Sequence, residues 1–249
     1  MKRALVALVL VAGAATAFAQ GRFGFGVPVL PNPRYDGQFT FVRLRYGPET
    51  RVVSQNIPWS HDYPSGERNF MKILDEVSYL GPKTAETSIL GLDDPELFKH
   101  PIAYMAEAGF WEPTGAEAAA FRAYLLKGGF VIFDDFAESR GGWAAFEGAF
   151  RRVLPEARFV DLDVSHQIFH SFFEIGSFDI LPQHYDVGRP ILRAVFEQND
   201  PTKRMMAMIN FNTDISEYWE DGGRSLRTVW ETNEAYKLGV NYIIYGMTH

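Results

Sequence analysis

The clearest hydrophobic pattern in the chain predicts a helix followed by a buried strand over residues 114–136. Thr114 and the acid three residues later have the spacing of a capping box, which begins a helix. Apolar side chains then recur at helical spacing as far as Gly128 and Gly129, where the left-handed backbone that glycine adopts ends the helix. Residues 130–133 are uniformly apolar, which is typical of a strand covered on both faces.

The same alternation of strand and helix patterns continues along most of the chain. Strands are predicted at residues 39–46, 87–92, 102–105, 130–133, 158–162, 191–197 and 205–212, with helices at 68–79, 114–127, from 141 onward and at 234–247. This order predicts a three-layer α/β fold, with a mostly parallel central sheet and helices on both faces. We expect strands 102–105, 130–133 and 205–211 in one sheet, the first two as parallel neighbours.

Polar side chains stand where several of these strands end. Asp134 and Asp135 follow one apolar run directly, Glu107 follows an earlier strand, and Asn210 and Asp214 end a later one. Parallel strands end at one edge of a sheet, called here the carboxyl rim, and ligands of open α/β sheets bind outside it. We therefore predict a ligand site at this rim, although an acid such as Asp135 can instead cap the following turn.

A long loop, residues 48–69, is predicted to close over the rim. Its prolines interrupt regular structure, while Trp59, His61 and Asp62 are residue types that are costly to leave unpacked. We expect Trp59 and Trp111 as the walls of a pocket, with carboxylates and amides as its floor. Such a pocket favours a polyol, a cation or an amine-bearing group over a phosphate.

Two histidines, His166 and His170, are four residues apart, a spacing that places imidazoles on one face of a helix and also occurs in zinc sites. The segment lacks the glutamate of that motif and is rich in phenylalanine. Packed or capping histidines are therefore favoured over metal ligands, although His166 remains a candidate site residue. We predict no metal and no cofactor.

The alternation in residues 39–46 places Arg43 and Arg45 on one face of the first strand. A solvated or ion-paired face is favoured there over contact with a ligand, because surface exposure is the usual state of arginine.

The N-terminal residues have the pattern of an export signal. Two basic residues precede a short apolar run, and small residues at 17 and 19 match the pattern that signal peptidase cleaves. The run is shorter than the about 20 residues of a membrane span. We expect a signal peptide over residues 1–19, a Gly/Pro-rich arm over 20–38, a single α/β domain over 39–249, and a periplasmic or secreted product without a membrane span.

Charge and composition exclude several classes of function. The formal charge is -7 and becomes -9 if the signal with its two basic residues is removed. The chain contains no cluster of Lys and Arg, so nucleic acid and anionic lipid surfaces are poor partners. Cysteine is absent from the sequence, which excludes disulfides, thiolate metal sites and cysteine nucleophiles.

Four segments in order resemble the bacterial family called domain of unknown function 4159. They are PWSHDYPSGERNFMKIL, GFWEPTGAEAAAFRAYLLKGGFVIFDD, SHQIFHSFFEI and EAYKLGVNYIIYGMTH. The resemblance implies a flavodoxin-like fold similar to that of class I glutamine amidotransferases. The enzymes of that group use a cysteine nucleophile, so their chemistry does not transfer to this cysteine-free chain, and no G-x-S-x-G elbow replaces it.

Three kinds of function remain open. A binding module of the cell envelope, for a small molecule or an envelope protein, needs only a pocket with polar groups at the rim. A hydrolase would use Asp134 or Asp135 as general base, or His166 as a ligand to a divalent ion. A structural partner protein would dock through its N-terminal arm or an exposed sheet edge.

Overall fold

The computed structural model describes residues 27–180, 186, 188–222 and 226–249. The expected signal peptide and the start of the arm lie outside the described residues. The strands are β1 (Val27–Pro28), β2 (Val42–Arg45), β3 (Val52–Val53), β4 (Ser88–Gly91), β5 (Ile102–Met105), β6 (Phe130–Phe136), β7 (Val160–Asp161), β8 (Ile191–Phe196) and β9 (Met205–Phe211). The helices are α1 (Ser65–Val77), α2 (Gly115–Leu126), α3 (Gly142–Val153), α4 (Ile215–Glu220) and α5 (Val229–Thr248).

Seven strands form the central sheet, in the order β4-β2-β5-β6-β9-β8-β7. The first five are parallel, and β8 runs antiparallel to both β9 and β7. Strands β5 and β6 are parallel neighbours in the register Ile102 to Phe130, and β9 lies on the other side of β6. The predicted sheet and its mostly parallel character are confirmed.

Helices cover both faces of the sheet, because successive side chains of each central strand point to opposite layers. Along β6, Val131 and Phe133 pack under α2 and α3, whereas Phe130 and Ile132 pack under α1, α4 and α5. The uniformly apolar run 130–133 therefore has the two-sided burial that its sequence predicts.

Capping boxes begin the two helices with the clearest start signals. The hydroxyl of Thr114 accepts a hydrogen bond from the Glu117 backbone N–H at 3.2 Å, and the Glu117 carboxylate accepts from the Thr114 N–H at 2.7 Å, as predicted. Thr228 and Glu231 repeat this device, so α5 begins at Val229 and not near residue 234. No helix among the described residues is both long and apolar enough to cross a membrane.

The edge strand β4 is covered by the arm that precedes the sheet. The side-chain amide of Asn32 donates to the carbonyl oxygen of Ile89 and accepts from its N–H, both at 2.8 Å. A side chain thus takes the place of a neighbouring strand along this part of the edge.

The order of the strands sets the position of the site. The chain passes from β2 outward to β4 and then returns to β5 on the other side of β2. The connection after β2 therefore leads to one side of the sheet, and the connection after its neighbour β5 leads to the other side. Such a change of direction opens a crevice between the two strands at the carboxyl rim. The loops after β2, β5, β6 and β9 all emerge at this rim.

Candidate functional site

Four side chains from three separate segments of the chain converge at the carboxyl rim, and we call them the rim cluster: His61, Asp62, Asp135 and Asp214. His61 and Asp62 lie in the loop after β2, Asp135 lies near the end of β6, and Asp214 precedes α4. One ligating atom from each of the four lies within 4.8 Å of every other. His61 Nδ1 is 2.8 Å from Asp135 Oδ2 and 3.5 Å from Asp62 Oδ1.

Ser216 joins two acids of the rim cluster. Its hydroxyl lies 2.7 Å from Asp62 Oδ2 and 3.0 Å from Asp214 Oδ1, and the latter carboxylate also accepts from the Glu217 N–H at 2.9 Å. The second oxygen of Asp62, Oδ1, is buried and has no hydrogen-bond partner within the described part of the chain.

Arg43 holds the loop that carries His61 and Asp62. Its guanidinium donates to the carbonyl oxygens of Trp59 at 3.1 Å and His61 at 2.9 Å, and its Nε lies 2.5 Å from Glu67 Oε1. Both members of this ion pair are buried, at 1% and 0% side-chain exposure. The expectation of a solvated face is therefore wrong for Arg43, because α1 covers it, although the alternative of ion pairing is correct.

Asp134 and Asn210 lie beneath the rim cluster, under α4. The Asp134 carboxylate accepts hydrogen bonds from the Tyr104 hydroxyl, the Asn210 amide and the backbone N–H groups of Ile215 and Ser216, at 3.0 to 3.2 Å. Asn210 in turn accepts from the Tyr242 hydroxyl at 3.0 Å. These two predicted site residues thus join β6, β9 and the start of α4, and they support the rim cluster from below.

Glu107 lies at the end of β5 in a separate ion pair. Its Oε1 is 2.5 Å from Arg140 Nη1, and its backbone carbonyl accepts from the Tyr46 hydroxyl at 2.9 Å. The loops bearing this pair touch at two glycines: a Cβ on Gly109 would lie 2.4 Å from the Arg140 carbonyl oxygen, and one on Gly141 would lie 2.4 Å from Gly109. Only glycine allows this approach.

The backbone at the rim adopts left-handed conformations at residues other than glycine. These residues are Asp62 (φ 61°), Glu107 (φ 45°), Asp135 (φ 63°) and Asn212 (φ 61°). Strand β6 continues through Asp134 and Asp135 to Phe136, beyond the predicted end at 133, and its pairing with β9 shifts register between Phe133 and Phe136. This irregularity places the two adjacent acids in different surroundings.

Burial changes the proton affinities of the rim carboxylates. It raises the pKa of Asp62 and of Asp135 well above the usual range, and the charge of Asp214 adds to both shifts. Burial also raises the pKa of Asp134 and of Glu107, each to about 7. The same desolvation lowers the pKa of His61. The rim therefore disfavours charge in the absence of a counter-charge.

The two predicted pocket walls belong to the core. Trp111 is 1% exposed, and its ring packs against Phe121, Phe133 and Phe150 between the sheet and helices α2 and α3. Trp59 is also 1% exposed. The two rings therefore do not form the walls of a pocket at the rim. Burial of a large apolar ring in the core stabilises the fold more than its exposure at a polar rim would.

His166 lies at the opposite edge of the sheet. Its ring contacts Phe196 and Tyr245, and Phe196 pairs with Met205, the first residue of β9. Its Nδ1 accepts the N–H of Ile168, while His170 contacts Glu174. The segment forms a 3-10 turn over Gln167–His170. His166 is a capping histidine and does not reach the rim.

Some residues of this site carry no signal in the sequence that identifies them. His61 lies directly before Asp62 in the predicted loop, but no motif there distinguishes it from an ordinary loop histidine. Ser216 and Arg140 had no distinguishing signal, because their importance comes from partners far away along the chain. The prediction of no metal rests on His166 and His170 alone. The rim cluster, by contrast, brings together an imidazole and three carboxylates.

This arrangement is chemically suited to binding positive charge. Carboxylate oxygens and an imidazole nitrogen are cation ligands and hydrogen-bond acceptors. His61, with 14% of its side chain exposed, is the most accessible member of the rim cluster next to the buried acids. A second group of acids adjoins it, since Asp62, Glu217 and Glu220 also bring one oxygen each within 4.8 Å of the others.

The family model for the domain of unknown function DUF4159 matches residues 40–247. The chain belongs to this family. The match runs from just before β2 almost to the end of α5, so the DUF4159 region includes the whole sheet, the rim cluster and the Glu107–Arg140 pair. No curated protein matches the chain at a significant level.

Proposed function

We propose that this protein is an exported binding module of the cell envelope, which takes a small neutral or cationic ligand at its carboxyl rim. The observation that carries this proposal is the convergence of His61, Asp62, Asp135 and Asp214 from the loop after β2, the end of β6 and the segment before α4. Ligand sites of open α/β sheets form where loops from neighbouring strands meet in this way. Clustered carboxyl groups accept hydrogen bonds and ionise when a positive group offsets their repulsion, so they favour a polyol, an amine-bearing group or a cation over a phosphate.

The N-terminal pattern supports export. Residues 1–19 combine a basic start, an apolar run and a small-residue cleavage pattern. Export implies that the protein purified from its native host begins at Gln20, which mass spectrometry of the intact protein measures. A mass that retains Met1 and the apolar run contradicts export by cleavage.

The strand order supports kinship with class I glutamine amidotransferases at the level of fold. Numbered along the chain, the five parallel strands have the order 2-1-3-4-5, which is the flavodoxin-like order. The catalytic cysteine of those enzymes has no counterpart here, because the chain contains no cysteine. The kinship therefore concerns architecture and not activity.

A hydrolase is the second candidate, and one contact favours it. His61 is partly exposed and lies 2.8 Å from Asp135, so an acid orients the imidazole as in a general-base pair. Asp134 fits the role of general base poorly, because it is 0% exposed and its oxygens already accept four hydrogen bonds. A purely structural role through β4 is disfavoured, since Asn32 covers that edge.

A thermal-shift experiment tests the binding function. The probes are sorbitol, spermidine, a disaccharide fragment of peptidoglycan and a peptide fragment of peptidoglycan. Each probe is tested twice, once in the presence of a chelator and once with added divalent metal. We expect at least one probe to raise the unfolding temperature of the wild type, and Asp135→Asn to abolish that shift. Asp75→Asn, the same change at an exposed position of α1, is the control and should keep the shift.

Two results would overturn the proposal. One is the absence of any shift under both metal conditions. The other is a shift that Asp135→Asn leaves unchanged, which would place the ligand elsewhere on the protein. Turnover of a peptidoglycan fragment that is lost in His61→Gln would instead favour the hydrolase.

A further inference from the structure

We propose that the rim cluster is a site for one divalent first-row transition metal ion, with His61, Asp62, Asp135 and Asp214 as ligands. The inference rests on the proposed function insofar as it names a ligand class for the same rim. It does not require that an organic molecule also binds.

The distances within the cluster fit a single ion. Nitrogen and oxygen ligands lie about 2.0 to 2.2 Å from such an ion, so neighbouring donors are about 3 Å apart and opposite donors about 4.2 Å apart. His61 Nδ1 is 2.8 Å from one Asp135 oxygen and 3.5 Å from one Asp62 oxygen. All four ligating atoms lie within 4.8 Å of one another. Small side-chain adjustments therefore complete the coordination.

The buried oxygen of Asp62 gives independent support. Asp62 is 0% exposed, and its Oδ1 has no hydrogen-bond partner among the described residues. A buried polar atom without a partner keeps the full cost of its lost hydration, so such atoms are rare in native proteins. This oxygen lies 3.5 Å from His61 Nδ1, inside the cluster. A metal ion there supplies the missing partner.

The surroundings hold the ligands in place before any ion arrives. The Ser216 hydroxyl fixes Asp62 and Asp214 relative to each other, at 2.7 and 3.0 Å. Arg43 fixes the backbone of His61 from below. Metal sites depend on such outer contacts, whose removal costs 10- to 100-fold in affinity.

The donor set selects the class of ion. Three carboxylates alone would suit Mg²⁺ or Ca²⁺, but Ca²⁺ takes about 6 to 8 oxygen ligands, and Mg²⁺ keeps several of its waters and uses only one or two carboxylates. The imidazole favours a transition ion that accepts both nitrogen and oxygen. We therefore expect Zn²⁺ and Mn²⁺ to bind more tightly than Ca²⁺ or Mg²⁺.

The test is calorimetric titration of the chelator-treated full protein with Zn²⁺ and Mn²⁺, together with metal content after gel filtration. We expect one equivalent of metal per chain. Asp62→Asn and Asp135→Asn should each weaken binding at least tenfold, because each removes a charged ligand. The control Asp75→Asn, at an exposed position of α1, should bind as the wild type does.

Binding of less than one equivalent, or equal affinity in the wild type, Asp62→Asn and Asp135→Asn, overturns the proposal. If a buried Asp variant does not fold, His61→Gln carries the same test, since its side chain is partly exposed. A probe that binds at the rim in chelator, with no metal binding, refutes the metal site and leaves the binding module standing.

Discussion

His61 Nδ1 lies 2.8 Å from Asp135 Oδ2, although the two residues are 74 positions apart in the sequence. The contact joins the loop after β2 to the end of β6. Between them lies β5, whose own end carries Glu107, so the loop reaches across a neighbouring strand. The position of the loop is therefore part of the site, and variants that release it should affect both stability and binding.

Arg43→Met is expected to lower the free energy of unfolding by about 3 to 5 kcal/mol. The reason is that the change leaves the Glu67 carboxylate buried at 0% exposure without its cation. Urea unfolding measures the loss. The double variant Arg43→Met/Glu67→Met should recover part of it, because no unpaired charge then remains in the core.

Arg45→Met is the matched control. Arg45 lies two residues further along the same strand and pairs with Glu49, whose side chain is 80% exposed. Exposed ion pairs contribute little, so we expect a loss below about 1 kcal/mol. Equal losses in the two single variants would show that Arg43 is not the anchor of the loop.

Asp134→Asn should act on stability more than on binding. The carboxylate accepts bonds from two side chains and from the N–H groups of Ile215 and Ser216, so an amide places a donor against a donor. We expect a loss of about 1 to 3 kcal/mol in urea unfolding. The measurement belongs above the Asp134 pKa of about 7, where the wild-type group is charged. A variant of unchanged stability that no longer binds ligand would instead make Asp134 a ligand contact.

Glu107 should make the protein less stable as pH rises. Burial raises its pKa from 4.5 to about 7, despite the opposing effect of Arg140. Between these two values the unfolded chain holds fewer protons than the folded one, so the free energy of unfolding falls across this window and then levels off.

Glu107→Gln tests this dependence. Because glutamine resembles the protonated acid, the variant should match the wild type near pH 4.5 and exceed its thermal unfolding temperature above pH 7. Thermal unfolding of both proteins across this range checks the sign. If the variant is instead the less stable protein at high pH, the ion pair with Arg140 outweighs the burial of Glu107.

Gly109→Ala should separate the loops that bring Glu107 and Arg140 together. The added Cβ would lie 2.4 Å from the Arg140 carbonyl oxygen, a backbone atom that cannot rotate away. Overpacking of this kind costs about 1 to 3 kcal/mol, measurable by thermal unfolding. Gly148→Ala in α3 is the control, because a Cβ there meets nothing within 4 Å. It should stabilise the helix by about 0.5 to 1 kcal/mol.

The layered fold could be predicted from local pattern, because burial on two faces leaves a uniform apolar run such as residues 130–133. The capping box at Thr114 is likewise local, since both partners stand within one turn. Arg43 shows the limit of this approach. Its alternation with Leu44 places it on the correct face, but only the packing of α1 shows that this face is buried against Glu67.

The sequence predicts the location of the site at the carboxyl rim, but it does not predict which residues form the site. Acids at strand ends indicate the carboxyl rim, because parallel strands end together. Which acid faces the rim cluster depends on the register shift at the end of β6, a property of its pairing with β9. The prediction of His166 as a site residue is wrong for a related reason. His166 lies near the start of β9 and so at the edge of the sheet opposite to the carboxyl rim, which the direction of the strands decides and helical spacing does not show.

The left-handed residues Asp62, Glu107, Asp135 and Asn212 have a consequence for how the sequence can change. Each adopts a backbone conformation that costs a residue with a side chain on the order of 1 kcal/mol. Glycine would relieve that backbone cost, because it has no Cβ. Glycine at position 62 or 135 would remove the backbone strain but also the carboxylate of the rim cluster. At these positions a sequence that is optimal for thermal stability therefore differs from one that is optimal for binding.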